Sequence, residues 1–223
     1  MDLDKNLEKY ADLIVRIGLN LHAGDNLTIR LSEHSLPLAR LVANKAYQAG
    51  VGDIQLMFTD DSITLDRFLE APAESFETYP EYLVDFTEKL FLDNHHVLSI
   101  IAPNPDLLKP ADPARIAQWQ KVAGMASKRT MKYTMQNKVK WCIVAVACPA
   151  WAEAAFPGMP EEEAMQKLWE NIFLATRIDQ EDPIAAWEEH DSRLKAHRKF
   201  LNEARFDRVH YKGPGTDLMV GLV

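Results

Sequence analysis

The chain has 223 residues, of which 47% are hydrophobic and 26% charged, and it carries a formal net charge of -8. This is the composition of an ordinary globular protein, with enough apolar residues for one large domain or two small ones. The acidic excess and the absence of a Lys and Arg cluster argue against a nucleic-acid binder, because affinity for a phosphate backbone needs concentrated positive charge.

The N-terminal segment, residues 1–21, carries acidic and lysine residues every few positions. It therefore lacks the uninterrupted apolar stretch of a signal peptide or a membrane span, and we expect a cytoplasmic protein without a membrane partner. The two cysteines, Cys142 and Cys148, would stand roughly 20 Å apart on one extended strand, at about 3.3 Å per residue. Because that separation exceeds disulfide reach, they are expected to be buried, reduced thiols.

The first part of the chain alternates helical and strand-like patterns. Apolar residues at helical spacing predict a helix over residues 3–21, and Gly24 then breaks the pattern before the strand-like segment NLTIRL. Ser35 predicts the start of a second helix, which Gly50 ends before the strand-like segment DIQLMF. Further predicted elements follow in chain order: a helix starting with SITLDRFL, a helix near 79–93, a strand at 96–102, a helix at 113–137 and a strand at 141–147.

The runs at 96–102 and 141–147 are apolar throughout, as expected for parallel strands that are covered on both faces. The connections between strands are too long for hairpins and indicate βαβ units. The sequence therefore predicts a three-layer α/β domain with a mostly parallel sheet flanked by helices.

The segment 149–205 reads as helical. Pro160 followed by three acidic residues is typical of a helix start, and Asp182 with Pro183 predicts another. We expect this segment to bridge the sheet to two strands, at 206–211 and 216–223.

Two features of the second half suggest chemistry but have simpler interpretations. The stretch GPGTDL at 213–218 resembles half of a phosphate-binding loop, yet a strand-like segment follows where a helix is needed, which favours a tight turn between strands. His190 and His197 share a helix face but lie about 10.5 Å apart along the axis, at 1.5 Å per residue. One zinc ion cannot bind both directly, so solvated histidines are favoured over a metal site.

Other polar residues lie at the predicted strand ends. His95 and His96 open a strand, where neighbouring side chains point to opposite faces, so one of them is interpreted as a hydrogen-bonding residue at the strand end. Asp60 and Asp61 follow the strand DIQLMF at the edge where open parallel sheets bind ligands, but a helix cap is the favoured interpretation. Asn104 follows the next apolar strand at the same edge.

No catalytic pattern is legible in the sequence. Glu188, Glu189 and Asp191 are interpreted as a solvated helix face. No HExxH or GxSxG motif occurs, and neither cysteine has a visibly electropositive setting. The sequence thus predicts no catalytic residue and no metal ligand within this chain, and leaves substrate-binding residues unknown.

Several long segments together resemble a known family. They are WCIVAVACPAWAEAAFPGMPEEEAMQKLWENIF at 141–173, DPIAAWEEHDSRLKAHRKFLNEARFDRVHYKGPGTDLMVGL at 182–222 and the opening LEKYADLIVRIGLNLHAGDNLTIR. In combination they resemble the thermophilic aminopeptidase family, the metallo-aminopeptidases that include aminopeptidase T, aminopeptidase S and PepS. The resemblance covers essentially the whole chain in order.

The resemblance implies an enzyme that removes N-terminal residues from peptides with two divalent ions, of the zinc or cobalt class, in one site. Members are roughly twice as long, and their ligands, two Glu, two His and one Asp, follow the GPGTDL region. Residues 1–223 would then form the N-terminal domain of a longer enzyme, with 206–223 at the border of a catalytic domain. Family members are dimers, so the parent is expected to be a homodimer and the fragment alone inactive.

Two other interpretations remain open at this stage. The chain could be a self-contained α/β module that binds a small ligand near Asp60 or Asn104. It could also be an interaction domain whose apolar terminal strand pairs with a partner or with a second copy.

Overall fold

The computed structural model describes residues 2–222. The α-helices are Leu3–Leu13 (α1), Leu36–Gln48 (α2), Asp61–Glu70 (α3), Glu81–Leu92 (α4), Pro113–Met135 (α5), Pro149–Ala155 (α6), Glu161–Thr176 (α7) and Pro183–Ala204 (α8). The strands are Asn26–Leu31 (β1), Ile54–Phe58 (β2), His95–Ile101 (β3), Trp141–Ala145 (β4), Arg208–Gly213 (β5) and Thr216–Gly221 (β6). Contacts divide the chain after Pro183 into two units, which are described separately.

The first unit contains a four-stranded sheet in the order β2-β1-β3-β4, and every pairing is parallel. Strand β1 lies at the centre, with Leu27 opposite Ile54 of β2 and His96 of β3. Because the chain passes from β2 back across β1 to β3, the direction of winding reverses between β1 and β3. This is the predicted mostly parallel α/β fold, and the prediction is confirmed.

One face of the sheet carries the main core. Leu27 and Ile29 of β1 are completely buried, and α2 covers them with Leu38 and Val42, which are also completely buried. Helix α1 packs on α2. Its buried Tyr10 reaches the end of β4, where the Tyr10 hydroxyl donates to the Ala145 carbonyl across 3.3 Å. Helices α1 and α2 therefore form one of the outer layers.

The opposite face is covered less completely. Phe91 of α4 packs with Val97 of β3 and with Val139, and α5 packs along α4. On β4, however, Trp141 and Ile143 are 53% and 58% exposed. Full coverage was predicted for both apolar strands. For β4 this is wrong, because β4 is an edge strand and, among the described residues of the first unit, no helix covers its side chains on this face.

The first helix ends differently from the prediction over residues 3–21. Helix α1 continues into a π-helical turn, Ile14–Gly18, that ends three residues earlier than expected. A Cβ atom at Gly18 would lie 3.0 Å from the Sγ atom of Cys142. The absence of a side chain at this position thus lets the turn approach β4 closely, a tertiary contact that the helical spacing could not indicate.

Most other predicted elements are confirmed within a few residues. Helix α6 lies within the segment 149–205 that was predicted to be helical, and the structure adds two 3₁₀ turns, Glu33–Ser35 and Ala73–Phe76, that were not predicted. Helix α7 places Phe173 edge-on to Tyr10 of α1, with ring centroids 6.2 Å apart. In the second unit, α8 is followed by an antiparallel hairpin of β5 and β6. Val223, the last residue of the predicted terminal strand, lies outside the described residues.

Gly124 lies in the middle of α5, and a Cβ atom at this position would meet no other atom within 4 Å. We therefore expect Gly124→Ala to raise the free energy of unfolding by about 0.5–1 kcal/mol, because alanine loses less conformational freedom in a helix. Urea unfolding followed by circular dichroism measures the change.

Gly50→Ala is the matched control. Gly50 has a φ of +91°, and its Cβ would lie 2.8 Å from that of Ala23. This variant should lower the free energy of unfolding by about 1 kcal/mol or more. Equal effects of the two substitutions would contradict the packing described here.

Candidate functional site

The carboxyl edge of the sheet, the predicted ligand edge, is occupied by helix caps and turns. Asp60 is the N-cap of α3, and its Oδ1 atom accepts a hydrogen bond from the backbone of Ile63 across 2.9 Å. Asp61 is the first residue of that helix. The interpretation of this pair as a helix cap is therefore confirmed. The side chain of Asn104 forms a local turn, in which Oδ1 accepts from the Asp106 backbone across 3.2 Å.

A buried serine bridges the reversal point between β1 and β3. Ser35 is completely buried, and its hydroxyl donates to the Ile100 carbonyl of β3 across 3.0 Å. Ser32 lies 3.3 Å from the same hydroxyl. Ser35 precedes α2 as predicted, but its side chain makes no cap hydrogen bond and instead joins two strand ends. The sequence pattern could not indicate this bridge, because the two residues are 65 positions apart.

Both cysteines are unpaired. Cys148 is buried at the N-terminus of α6, beyond the end of β4, and its thiol lies 3.4 Å from the Pro103 carbonyl. Burial raises the pKa of Cys142 and that of Cys148, so both remain protonated thiols at neutral pH. Neither has the lowered pKa of a nucleophilic cysteine. The expectation of burial is confirmed for Cys148 and wrong for Cys142, which is only partly buried, and the reduced state of both thiols stays a prediction.

The amino edge of the sheet carries the two neighbouring histidines. His95 lies with its Nδ1 atom 3.2 Å from the Thr28 hydroxyl and its Nε2 atom 3.6 Å from the Asp53 carboxylate. His96 points to the other face, where Nδ1 accepts from the Lys140 backbone across 3.3 Å. The predicted divergence of the two rings is confirmed. Both rings are buried and take part in hydrogen bonds between strands.

Asp25 is the centre of a polar cluster at this edge, which sequence reasoning missed. Its Oδ2 atom accepts from the Lys140 ammonium across 2.7 Å and from the His22 backbone across 2.9 Å. Its Oδ1 atom lies 3.3 Å from Nε2 of His96, but out of line for a hydrogen bond. The ammonium of Lys140 also donates to the Asn20 carbonyl across 2.7 Å. One cation and one anion thus neutralise each other inside the cluster.

These contacts set the protonation of the cluster. Partial burial raises the pKa of Asp25, but the hydrogen bonds from Lys140 and the His22 backbone, with the nearby His96, outweigh it and lower the pKa to about 2. For His96, burial lowers the pKa more than the attraction of Asp25 raises it. At neutral pH the cluster therefore contains a carboxylate, an ammonium and an uncharged imidazole.

The second unit contains the remaining candidates. His190 and His197 lie on α8, and the ring of His190 packs edge-on to Trp187, with centroids 5.5 Å apart. The GPGTDL stretch forms the turn between β5 and β6, where Gly215 has a φ of +73°. The tight-turn interpretation is confirmed, because an antiparallel strand and not a helix follows the glycine. No phosphate-binding loop is formed.

Within residues 2–222, no group of three or more His, Cys, Asp and Glu side chains is arranged to hold a metal ion. The nearest approach is the Asp25 cluster, where the Lys140 ammonium lies among the oxygen and nitrogen acceptors that a cation would need. None of the helices in the described part of the chain combines the length and apolar character that crossing a bilayer requires.

Comparison with known proteins gives a consistent result. The family described as thermophilic metalloprotease (M29) matches residues 3–223. The chain is 40% identical over 220 residues to Aminopeptidase 2 of Geobacillus stearothermophilus, covering 99% of this chain and 53% of that protein. It is 39% identical over 218 residues to Aminopeptidase T of Thermus thermophilus, covering 98% and 53%.

A solved structure of wild-type AmpT from Thermus thermophilus is also similar, with a TM-score of 0.88 and 37% identity. The match covers 99% of this chain and 54% of that one. The chain therefore spans about half the length of the curated relatives it matches.

The Asp25 cluster predicts a pH-dependent contribution to stability. A carboxylate whose pKa falls from 3.8 unfolded to about 2 folded stabilises the protein above pH 3.8, and this contribution is lost as the pH falls towards 2. Asp25→Asn should therefore lower the free energy of unfolding by about 1–2 kcal/mol at pH 7. The difference from the native chain should shrink below pH 4.

Denaturant unfolding between pH 7 and pH 2.5 measures this effect. Asp53→Asn is the control, because Asp53 approaches His95 at 3.6 Å with a side chain that is 67% exposed. Pairs this open to water contribute little to stability. An Asp25→Asn deficit that stays constant at every pH would show that the carboxylate charge is not what stabilises the strand ends.

Proposed function

The chain belongs to the thermophilic metalloprotease family M29, and we propose that it forms the N-terminal domain of a longer metal-dependent aminopeptidase. The observation that carries this proposal is the coverage of the alignments, which include 98–99% of this chain but only 53% of each relative named above. Those relatives are named aminopeptidases. The substrates proposed for the whole enzyme are accordingly peptides, from which it would remove the N-terminal residue.

The described residues do not fit a paired-metal site. Two catalytic ions about 3.5–4 Å apart need several carboxylates and imidazoles that converge on one point. At the sheet edges, Asp60 caps a helix, His95 and His96 make hydrogen bonds at the strand ends, and Asp25 is paired with Lys140. The acids and histidines of α8 lie along one exposed helix, where Asp191 pairs with Lys195. We therefore assign the two divalent ions, of the zinc or cobalt class, to ligands in the other half of the parent enzyme.

In this proposal the described half has a structural role beside the catalytic half. Its role would be to pack against the catalytic domain and shape access to the metal site, with 149–205 as a helical bridge and 206–223 at the domain border. This role is supported by large apolar side chains of the second unit that are exposed. They are Leu194, Phe200, Leu201, Phe206, Leu218 and Met219. Surfaces of this kind are typical of contacts with further polypeptide.

We also propose a cytoplasmic parent that acts as a homodimer. The two unpaired thiols support the location, since cysteines stay reduced in that compartment. The dimer follows from the family resemblance of the sequence segments at 141–173 and 182–222.

The test is an aminopeptidase assay of the 223-residue chain with leucine p-nitroanilide, with and without zinc or cobalt. We expect no metal-dependent turnover from this chain, because it supplies no ligand set. The protein extended by the reading frame beyond residue 223 should hydrolyse the substrate and lose activity on chelation. Metal-dependent turnover by the short chain, or a reading frame that stops at residue 223, would contradict the proposal.

A further inference from the structure

A groove of about 570 Å³ lies over the less covered face of the sheet, between α4 and α5. Its floor is formed by Arg30 of the central strand β1 and Met57 of β2, and its far wall by residues of α5. All of these residues belong to the first unit. The groove is distinct from the carboxyl edge and from the Asp25 cluster.

Arg30 is an unusual residue for its position. Arg30 is the exposed residue of β1, a strand that is paired on both sides. Within the described residues, its guanidinium makes no hydrogen bond and no ion pair. Surrounding protein atoms nevertheless lower its pKa, while the Tyr79 hydroxyl acts in the opposite direction. The Arg30 side chain is thus partly covered by its neighbours but still exposed within a concave surface. Its guanidinium remains charged, because the pKa of arginine is far above neutrality.

The other residues that line the groove supply hydrogen-bond donors and no carboxylate. The Tyr79 hydroxyl, the Trp119 indole N–H and the Gln120 amide line the groove, and none of them is hydrogen-bonded to another described residue. No Asp or Glu side chain lines it, although the chain has 33 acidic and 25 basic residues. The groove therefore favours a group that is negatively charged and accepts hydrogen bonds.

One wall of the groove is held rigidly in place. The rings of Tyr79 and Trp119 are stacked, with centroids 5.3 Å apart, and the Arg67 guanidinium lies 3.8 Å from the centroid of Trp119. Leu83, Val84 and Ala123 add apolar surface. A fixed aromatic wall beside one cation suits a ligand with an apolar body and one charged end, because little ordering is needed on binding.

We propose that this groove binds a small carboxylate with an apolar side chain, held at its charged end by Arg30. A single guanidinium matches the single charge and the two oxygens of a carboxylate in a bidentate contact. Among the described residues that line the groove, Arg30 is the one cation, because Arg67 stacks on Trp119 and donates to the Ser75 carbonyl. A phosphate dianion would therefore keep a second charge without a direct partner. The ligand class is that of N-blocked apolar amino acids and the C-terminal residues of peptides.

The probe is N-acetyl-leucine, with N-acetyl-leucinamide as its uncharged counterpart, titrated into the 223-residue chain by calorimetry. Neither compound has a free amino terminus, so the result does not depend on the aminopeptidase assignment. We expect saturable binding of the acid. The affinities for the amide and for inorganic phosphate should each be lower than that for the acid by a factor of about ten or more. Equal binding of acid and amide, tighter binding of phosphate, or no saturable binding of the acid would overturn the proposal.

Variants locate the site. Arg30→Gln should weaken binding of the acid by about tenfold to a hundredfold, as for loss of a charge-assisted hydrogen bond. Arg16→Gln is the matched control, because Arg16 is an exposed arginine outside the groove that pairs with Asp12 across 3.3 Å. Gly124→Leu should also abolish binding with Arg30 intact, since it fills the open space beside α5. Unchanged binding by Arg30→Gln would overturn the proposal.

A spectroscopic readout separates ligand contact from a general structural effect. The chain has five tryptophans, and of these Trp119 lines the groove. The indole N–H resonance of Trp119, assigned with Trp119→Phe, should shift on titration with the acid and stay unchanged in Arg30→Gln. A shift that persists in that variant would place the ligand elsewhere and overturn the proposal.

Discussion

Two consecutive residues, Asp25 and Asn26, connect the start of the central strand to the starts of the other three strands of its sheet. Asn26 accepts a hydrogen bond from the Asp53 backbone across 2.9 Å, just before β2, and donates to the Asp93 carbonyl across 2.8 Å, just before β3. Asp25 accepts from Lys140, the residue before β4, across 2.7 Å. Parallel strands have no hairpin to align them, so such contacts between distant segments fix which residues face one another.

At both edges of the sheet, the polar residues make hydrogen bonds that join the strands to one another and to the adjoining turns. At the amino edge, the buried His95 and His96 complete the same network that Asp25 and Asn26 begin. At the carboxyl edge, where open α/β sheets usually bind ligands, Ser35 and Asp60 are already hydrogen-bonded to backbone. The concave surface that is left with unpaired donors lies instead on a sheet face, where Arg30 of the central strand lines the groove.

Local patterns in the sequence predicted what local interactions decide. Helix positions followed from apolar spacing, the Asp60 cap from its place before a helix, and the turn at Gly215 from the strand-like residues after it. The Asp25–Lys140 contact could not be predicted in this way, because 115 residues separate its partners. Coverage of β4 was predicted wrongly for a related reason. An apolar run shows that a strand is suited to burial, but not whether any element packs over Trp141 and Ile143.

The described residues of this member of a hydrolase family contain no group of three or more His, Cys, Asp and Glu side chains that could hold a metal ion. A buried carboxylate is stable only with a partner, and in the described residues Lys140 is the partner of Asp25, which leaves no free charge to attract a metal ion. Arg30 is the opposite case, a cation with no counter-ion among the described residues that line its groove. A charge that the fold does not neutralise costs less when it remains open to solvent, and it is then free to attract an anion. The proposed carboxylate site therefore rests on this unpaired charge, whereas the histidines and acids at the sheet edges are hydrogen-bonded or ion-paired within the fold.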